Sequence, residues 1–335
     1  MRAIKIKAPA SLDHLEIVNL PDPGMPGAGE VRVRIVASSL NSHDLSVANG
    51  KIPVADGRIP LSDGAGVVEA IGEGVTEFKV GQSVVSCFFP LWQDGPPVAV
   101  GFGNTPGDGI DGYAREYVVA PATWFIAAPM GWTHVEAATL TTAGLTAWRA
   151  LVSNGGLKSG DTVLALGTGG VSIYALQIAK SIGARVAITS SSDEKLERAR
   201  SLGAEFTVNY RQHADWGVRV ADWTGGQGVD HVIEVGGPAT LAQSIKACRP
   251  GGHIALIGVL TGIAGDLPLV SVIFKHIRLQ GLVVGNRREQ MELVRAMESM
   301  GVRPVIDRTF PLENLPAAFR HEKAGGHFGK IGIAV

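Results

Sequence analysis

Between an apolar run, Val163–Leu166, and a segment in which Val171, Ala175, Ile178 and Ile182 share one helical face lies Gly-Thr-Gly-Gly-Val-Ser, residues 167–172. A glycine-rich turn that leaves a strand and opens a helix has chemistry available to it. Gly167 permits the tight turn, and Gly169 lets the backbone approach a pyrophosphate. The first helical N–H groups, with the positive end of the helix dipole, then hold the negative charge. The backbone of Gly167, Thr168, Gly169, Gly170 and Val171 is the candidate phosphate cradle of a dinucleotide site. Ser172 stands where the fingerprint has its third glycine, and is small enough to pack against the strand. A turn without a ligand is the competing reading; further strands in the right order argue against it.

The ribose end carries a second signal. In the NAD pattern an acid about 20 residues on accepts from the ribose hydroxyls. Counting forward reaches Ser190 in Ile-Thr-Ser-Ser-Ser-Asp-Glu-Lys, and no acid stands at the strand end. Ser190 and Ser191 can donate to a 2′-phosphate, where a carboxylate would repel it. Lys195 is close by, and Tyr210–Arg211 follow the next strand. The pattern favours NADP(H) over NAD(H). Against it, Ser191 with Glu194 also reads as a helix capping box, and Asp193 adds negative charge.

The elements that must position these residues follow from periodicity. From Asp161 on, apolar runs at 163–167, 185–189, 206–208, 230–235, 253–259 and 277–285 alternate with helical segments. That rhythm predicts an α/β, doubly wound parallel sheet over residues 129–284. The first third reads differently. Glu30–Ala37 alternates with period two, and Gly- and Pro-rich turns separate similar runs, which predicts a mostly antiparallel β domain, a partly closed barrel. An amphipathic segment, Arg288–Met300, whose Met291, Met297 and Met300 are expected to pack on a core, leads to a strand-like Ile331–Val335. The tail is expected to return and complete the first domain, giving 1–128 with 285–335.

Composition excludes several classes. The 335 residues carry 30 Lys plus Arg against 31 Asp plus Glu, so a net charge of −1 offers no field for nucleic acid or an anionic membrane. Two cysteines, Cys87 and Cys248, make neither a disulfide framework nor a four-cysteine zinc site. The most apolar window, Ile254–Gly265, is broken by glycines and too short for a bilayer. A reduced, soluble, cytoplasmic protein is expected, with neither nucleic acid nor membrane as partner.

Beyond the phosphate loop, Leu-Asn-Ser-His-Asp-Leu (40–45), the glycine-rich 61–75, Thr-Thr-Ala-Gly-Leu-Thr-Ala-Trp (141–148), 190–205, 228–237 and 249–260 make the chain resemble the medium-chain dehydrogenase/reductase superfamily nearly end to end. It is especially similar to the zinc-free quinone oxidoreductase-like branch, often labelled alcohol dehydrogenase-like. The resemblance implies a GroES-like catalytic domain, a Rossmann domain, an active site in the cleft between them, and a homodimer paired through the Rossmann sheet edge around Leu282–Val284. It puts Asn41, Ser62 and Thr142 where zinc members carry their catalytic ligands. None of the three is a good zinc ligand, so no zinc is expected.

Without a Lewis acid to polarise an alcohol or carbonyl oxygen, a conjugated acceptor is the easier substrate, because charge spreads to a distant oxygen as hydride lands on carbon. The expectation is NADPH-dependent reduction of a quinone or α,β-unsaturated carbonyl, a small hydrophobic substrate. Asn41 and His43 are the catalytic candidates. The Asn41 amide is expected to donate to a carbonyl oxygen, or else to cap a turn; His43 supplies a proton, or is a satisfied hydrogen-bonding histidine. Asp44 and Asp63 read as structural. By the same resemblance Thr142 and Thr146 face nicotinamide or phosphate. Gly236, Ile257, Gly258, Val283 and Val284 lie at strand ends under the cofactor, and Phe328, Gly329 and Lys330 form a loop folding back towards it. The segment Phe88–Gly112, with Phe89, Trp92 and Phe102, either clasps a flat substrate or only pins itself to its own domain. A zinc-free NAD(P)-dependent alcohol dehydrogenase with His43 as base, and an NADPH-binding sensor or structural protein without useful turnover, are the alternatives.

Overall fold

The computed structural model describes residues 1–97 and 101–335; Val98, Ala99 and Val100 of the Phe88–Gly112 segment lie outside the described residues. The chain divides into two compact units, Met1–Leu145 with Val284–Val335, and Thr146–Val283.

The first unit is built on the strand Glu30–Ser39, which pairs antiparallel with Ala65–Ile71, with Tyr117–Pro121 and with the C-terminal Lys330–Ala334. The alternation is the cause. Val31, Val33, Ile35 and Ala37 are fully buried, while the residues between them point to the other face. Gly332 sits opposite Ser39, so the returning tail is stitched to the end of the central strand and brings Lys330 beside Leu40. The helix Arg287–Met300 starts on Asn286, whose side chain accepts from the Glu289 N–H, and buries Met297, whereas Met291 is exposed. Residues 129–145 fall in this unit rather than the second. Their helix His134–Ala138 packs on its strands, and Val135 sits so close to Gly332 that any side chain there would clash.

The second unit holds a six-stranded, wholly parallel sheet. Its strands, in spatial order, are Phe206–Asn209, Arg185–Ser190, Thr162–Ala165, Val229–Glu234, Cys248–Leu256 and Arg278–Gly281. The order reverses beside the first strand, the arrangement that opens a ligand crevice at the strands' carboxyl ends. Leu164, Ala187, Val232 and Ile254 are completely buried, as strands covered on both faces require. The last strand ends at Gly281 rather than 285, because Val284 takes a positive φ of 43° that no strand tolerates. Among the described residues no helix is long and apolar enough to cross a membrane.

Two buried histidines make this sheet acid-sensitive. His231 and His253 are register partners on adjacent strands, their rings 6.0 Å apart at 88°. His231 Nε2 lies 3.2 Å from Asp161, while neither ring nitrogen of His253 has a hydrogen-bond partner among the described residues. Burial, reinforced by Arg278 and His231, pushes His253 down to about 4 from 6.5. The folded-state value is depressed, so this stabilisation is complete above pH 6.5 and is lost as pH falls towards 4. His253→Val is expected to flatten the acid side of the stability profile, by on the order of 2 kcal/mol near pH 4. Urea midpoints measured from pH 7 to 4 check this, and parallel profiles for the two proteins would contradict it.

Candidate active site

The strand Glu30–Ser39 gives way at Asn41 to the helix Ser42–Ala48. Asn41 keeps extended dihedrals, and its N–H is capped by the Asp44 carboxylate at 3.1 Å. From that turn a buried polar network spreads. Asp63 Oδ2 accepts from Asn41 Nδ2 (2.9 Å) and Ser39 Oγ (2.5 Å), and its Oδ1 accepts from Thr142 Oγ1 (2.6 Å). Asn41 Nδ2 also donates to Asp44 Oδ2 at 3.0 Å. The other Asp44 oxygen accepts from the Ser62 N–H and hydroxyl at 2.9 and 3.0 Å. Lys330 Nζ donates to Asn41 Oδ1 (2.5 Å) and to the Leu40 carbonyl, and stands 3.6 Å from Asp63.

This arrangement corrects one expectation about Asn41. Both amide protons are donated to carboxylates and the amide oxygen holds an ammonium, so nothing remains to bind a substrate carbonyl. Lys330 turns inward as well, its ammonium spent on Leu40 and Asn41. Burial, then the neighbouring Asp63, lifts Asp44 above the ordinary carboxylate range, against the opposing pull of His43, Asn41 and Ser62.

Leu61, which precedes Ser62, has φ +77°, a strained conformation for a branched residue. The loop around Gly107 and Gly112 lies flat on its backbone, so close that a side chain on either glycine would overlap Leu61. That loop delivers Asp108. Its Oδ2 is 3.2 Å from His43 Nε2, a charge-pairing distance but not a straight hydrogen bond. His43 stacks on Phe102 at 5.0 Å and 19°, and meets the edge of Phe88 at 5.9 Å. Burial is the largest single influence on the imidazole and opposes its charge. The Asp108 carboxylate and the field of Asp44 together outweigh it and raise the pKa above 6.5. Nothing in the sequence linked Asp108 to His43; only the fold does. Phe88, Phe89 and Trp92 are buried against one another and pin their segment to this unit. Phe102 packs on them but stays partly exposed.

Asn41, Ser62 and Thr142 do meet around the Asp44–Asp63 pair. As metal donors they offer an amide and two hydroxyls already engaged with carboxylates, with a buried ammonium among them. That set does not fit zinc, which takes thiolate, imidazole or carboxylate in a tetrahedral cage. Among the described residues no three His, Cys, Asp or Glu side chains group closely enough to hold a metal.

In the second unit Gly167 has φ +71° and leads through an extended Gly169 into the helix Gly170–Ile182. Ser172 Oγ donates to the Leu166 carbonyl at 2.6 Å, tying the first helical turn to the strand. This is a positive reason for serine at that position. Gly167 N–H donates to Thr189 at 3.3 Å. Thr146 and Thr168 are buried. At the ribose end Ser190 is buried, Ser191 half-buried and Tyr210 exposed. The helix cap is Ser192, which accepts from the Lys195 N–H at 3.3 Å, so the competing reading of Ser191 and Glu194 as a capping box does not hold. Asp193 is held by Asn209 and Gln212 at 2.8 and 2.9 Å, so its charge is partly answered from within.

Gly236, Ile257 and Gly258 come together on Glu234, which sequence reasoning passed over. Ile257 and Gly258 donate to its carbonyl, and its buried carboxylate accepts from the Gly236 and Gly237 N–H groups at 2.8 and 3.0 Å, from Thr240 Oγ1 at 2.6 Å and from Ser244. Its signal was an acid closing an apolar strand just before a Gly-Gly pair. Val283 is exposed and Val284 buried. In the first unit Phe328 is buried and donates its N–H to Asp307 at 3.1 Å, and Gly329 turns at φ +81° hard against Val305.

Residues 27–130 match the family of alcohol dehydrogenase GroES-like domains, and 170–300 match zinc-binding dehydrogenase domains. A zinc-type alcohol dehydrogenase-like protein of Schizosaccharomyces pombe is 37% identical over 97% of this chain and 96% of its own length. The chain belongs to the medium-chain dehydrogenase/reductase superfamily. This medium-chain oxidoreductase is also similar to a 2-haloacrylate reductase of a Burkholderia species (32%, covering 90% and 89%) and an acryloyl-coenzyme A reductase of Sulfurisphaera tokodaii (27%, 99% of each). Among solved structures, a putative alcohol dehydrogenase of Sinorhizobium meliloti is 41% identical with TM-score 0.93, covering 100% of this chain and 98% of that one. An NAD-dependent alcohol dehydrogenase is 35% identical (TM-score 0.91, 100% of each), and a mycobacterial protein complexed with NADPH 27% (TM-score 0.83, 100% of each).

Proposed function

We propose that this chain is a zinc-independent, NADPH-dependent reductase of activated double bonds, delivering hydride to a quinone or an α,β-unsaturated carbonyl. The observation that carries the reading is the closed network around Asp63. The positions that hold zinc in other members are here an amide and hydroxyls committed to two carboxylates and to Lys330. A site without a Lewis acid suits an acceptor whose own conjugation carries the developing charge. The relatives named as acrylate-type reductases support the same acceptor class.

The backbone of residues 167–171 would hold the pyrophosphate, Ser190 and Ser191 the 2′-phosphate, and Gly236, Ile257 and Gly258 the strand-end face. When bound, the reduced nicotinamide supplies the hydride. The chain's own part is to orient the acceptor and supply a proton, and His43, whose pKa the Asp108 and Asp44 carboxylates raise against burial, is the proposed donor. The NAD-dependent alcohol dehydrogenase among the similar structures favours a second reading, metal-free alcohol oxidation with His43 as base.

NADPH and NADH oxidation against quinones, enones and aldehydes, with and without chelator, separates the two. NADPH-linked enone or quinone turnover that ignores chelator is expected. Chelator-sensitive activity overturns the metal argument, equal use of NADH overturns the serine argument, and turnover confined to alcohols selects the second reading.

We also propose a homodimer. Among the described residues the edge strand Arg278–Gly281 has one neighbour, and Leu269, Val270, Ile273 and Phe274 just before it are all more than half exposed. Light scattering reading a monomer would remove this part.

A further inference from the structure

We propose that Asp108 is a positioning residue for proton delivery: it holds the His43 ring by Nε2 and directs the other ring nitrogen, Nδ1, to the substrate. The inference rests on the reductase reading above and adds to it the atom that moves the proton. Three contacts fix the imidazole. Asp108 Oδ2 lies 3.2 Å from Nε2, Phe102 covers one ring face at 5.0 Å and 19°, and Phe88 closes an edge at 5.9 Å. Nε2 is sealed from solvent and faces Asp108, so Nδ1 is the ring atom left over. The charged groups facing the ring are Asp108, from the loop, and Asp44, from the ring's own helix.

Asp108 is itself held. Its side chain is only 11% exposed, its N–H donates to the Thr105 carbonyl at 3.2 Å, and Gly107 beside it is pressed against Leu61. Leu61 in turn leads into Ser62, which Asp44 binds. The proton donor and the Asp44–Asp63 network are thus referenced to one strained stretch of backbone.

The chemistry balances. The bound reduced nicotinamide would supply the hydride for a new C–H bond at the electrophilic carbon, and the C=C π pair would shift towards the carbonyl. The neighbouring carbon takes a proton from the imidazolium Nδ1. Imidazole is left neutral and recovers its proton from water, and Asp108 stays a carboxylate throughout.

Two readouts test this. In the cofactor-free protein, the NMR titration of His43 is expected to move down by about one pH unit in Asp108→Asn, because its nearest carboxylate is gone. In turnover, the alkaline limb of the kcat profile is expected to move down by the same amount, with about tenfold lower kcat at pH 8 and an unchanged KM for NADPH. Asp108→Glu is expected to restore part of both. An unmoved His43 titration, or a lower kcat whose pH limb stays in place, overturns the proposal. If neither protein reduces any enone or quinone, the reductase reading fails instead, while the titration still reports on the pair.

Discussion

Replacing Lys330 with methionine is expected to destabilise the first unit by about 3 kcal/mol at pH 7, the scale of leaving buried charges without their partner. The ammonium is 4% exposed, and no other cation is within salt-bridge distance of Asp44 or Asp63 among the described residues. Its loss leaves two buried carboxylates without a neighbouring cation, and takes a donor from Asn41 Oδ1 and from the Leu40 carbonyl. The direction with pH is fixed. Burial and Asp63 already raise Asp44, so the fold is favoured by its protonation, fully below its ordinary range and less as pH climbs through the raised value. Without the ammonium the buried negative charge loses the cation beside it, so the deficit of the variant should narrow on acidification from pH 7 towards 4 as Asp44 takes up a proton. Urea unfolding of both proteins across that range measures it. A deficit below about 1 kcal/mol, or one constant with pH, would mean that Lys330 is not the counter-cation of this network.

The second large effect lies in the other unit. Glu234→Ala is expected to cost about 3 kcal/mol and to weaken NADPH binding roughly tenfold. The buried carboxylate answers two backbone N–H groups and two hydroxyls. Thr240 has a second acceptor, the Gly237 carbonyl at 3.0 Å, but the N–H groups of Gly236 and Gly237 have fixed directions and would be stranded. Gly236 is packed so close to Thr240 that the turn cannot shift freely to find water. Because this turn forms part of the strand-end face proposed to lie under the cofactor, slackening it should reach affinity as well as stability. Thermal unfolding and a fluorescence titration with NADPH give the two numbers. Wild-type stability in Glu234→Ala would show that the turn holds itself without the carboxylate.

The contrast between Glu234 and the phosphate loop explains what was legible. The loop is local: six consecutive residues, a strand before and a helix after, each with its own periodicity, so linear order carries the signal. The four inner parallel strands were legible for the same reason, since strands buried on both faces are near-continuous apolar runs. Their ends were less so, because Val284 and the cap at Ser192 rather than Ser191 depend on single backbone angles. Glu234 was passed over because an acid ending a buried strand has no local mark of what it will bind.

The amino-acid order by itself determined the two kinds of architecture, the return of the tail to the first unit, the dinucleotide turn and the unsuitability of Asn41, Ser62 and Thr142 as zinc ligands. The first three follow from residue type and short-range period, and the fourth from the family resemblance, which marks the three positions whose residue types are then poor ligands. Only the tertiary structure decided how those three side chains are used. Asn41 and Lys330 are 289 positions apart, Asp63 and Thr142 79, and His43 and Asp108 come from a helix and a distant loop. Hydrogen bonding and charge pairing act over a few ångströms, so a partner's identity is written in the folding path that brings the two together and not in the sequence around either one.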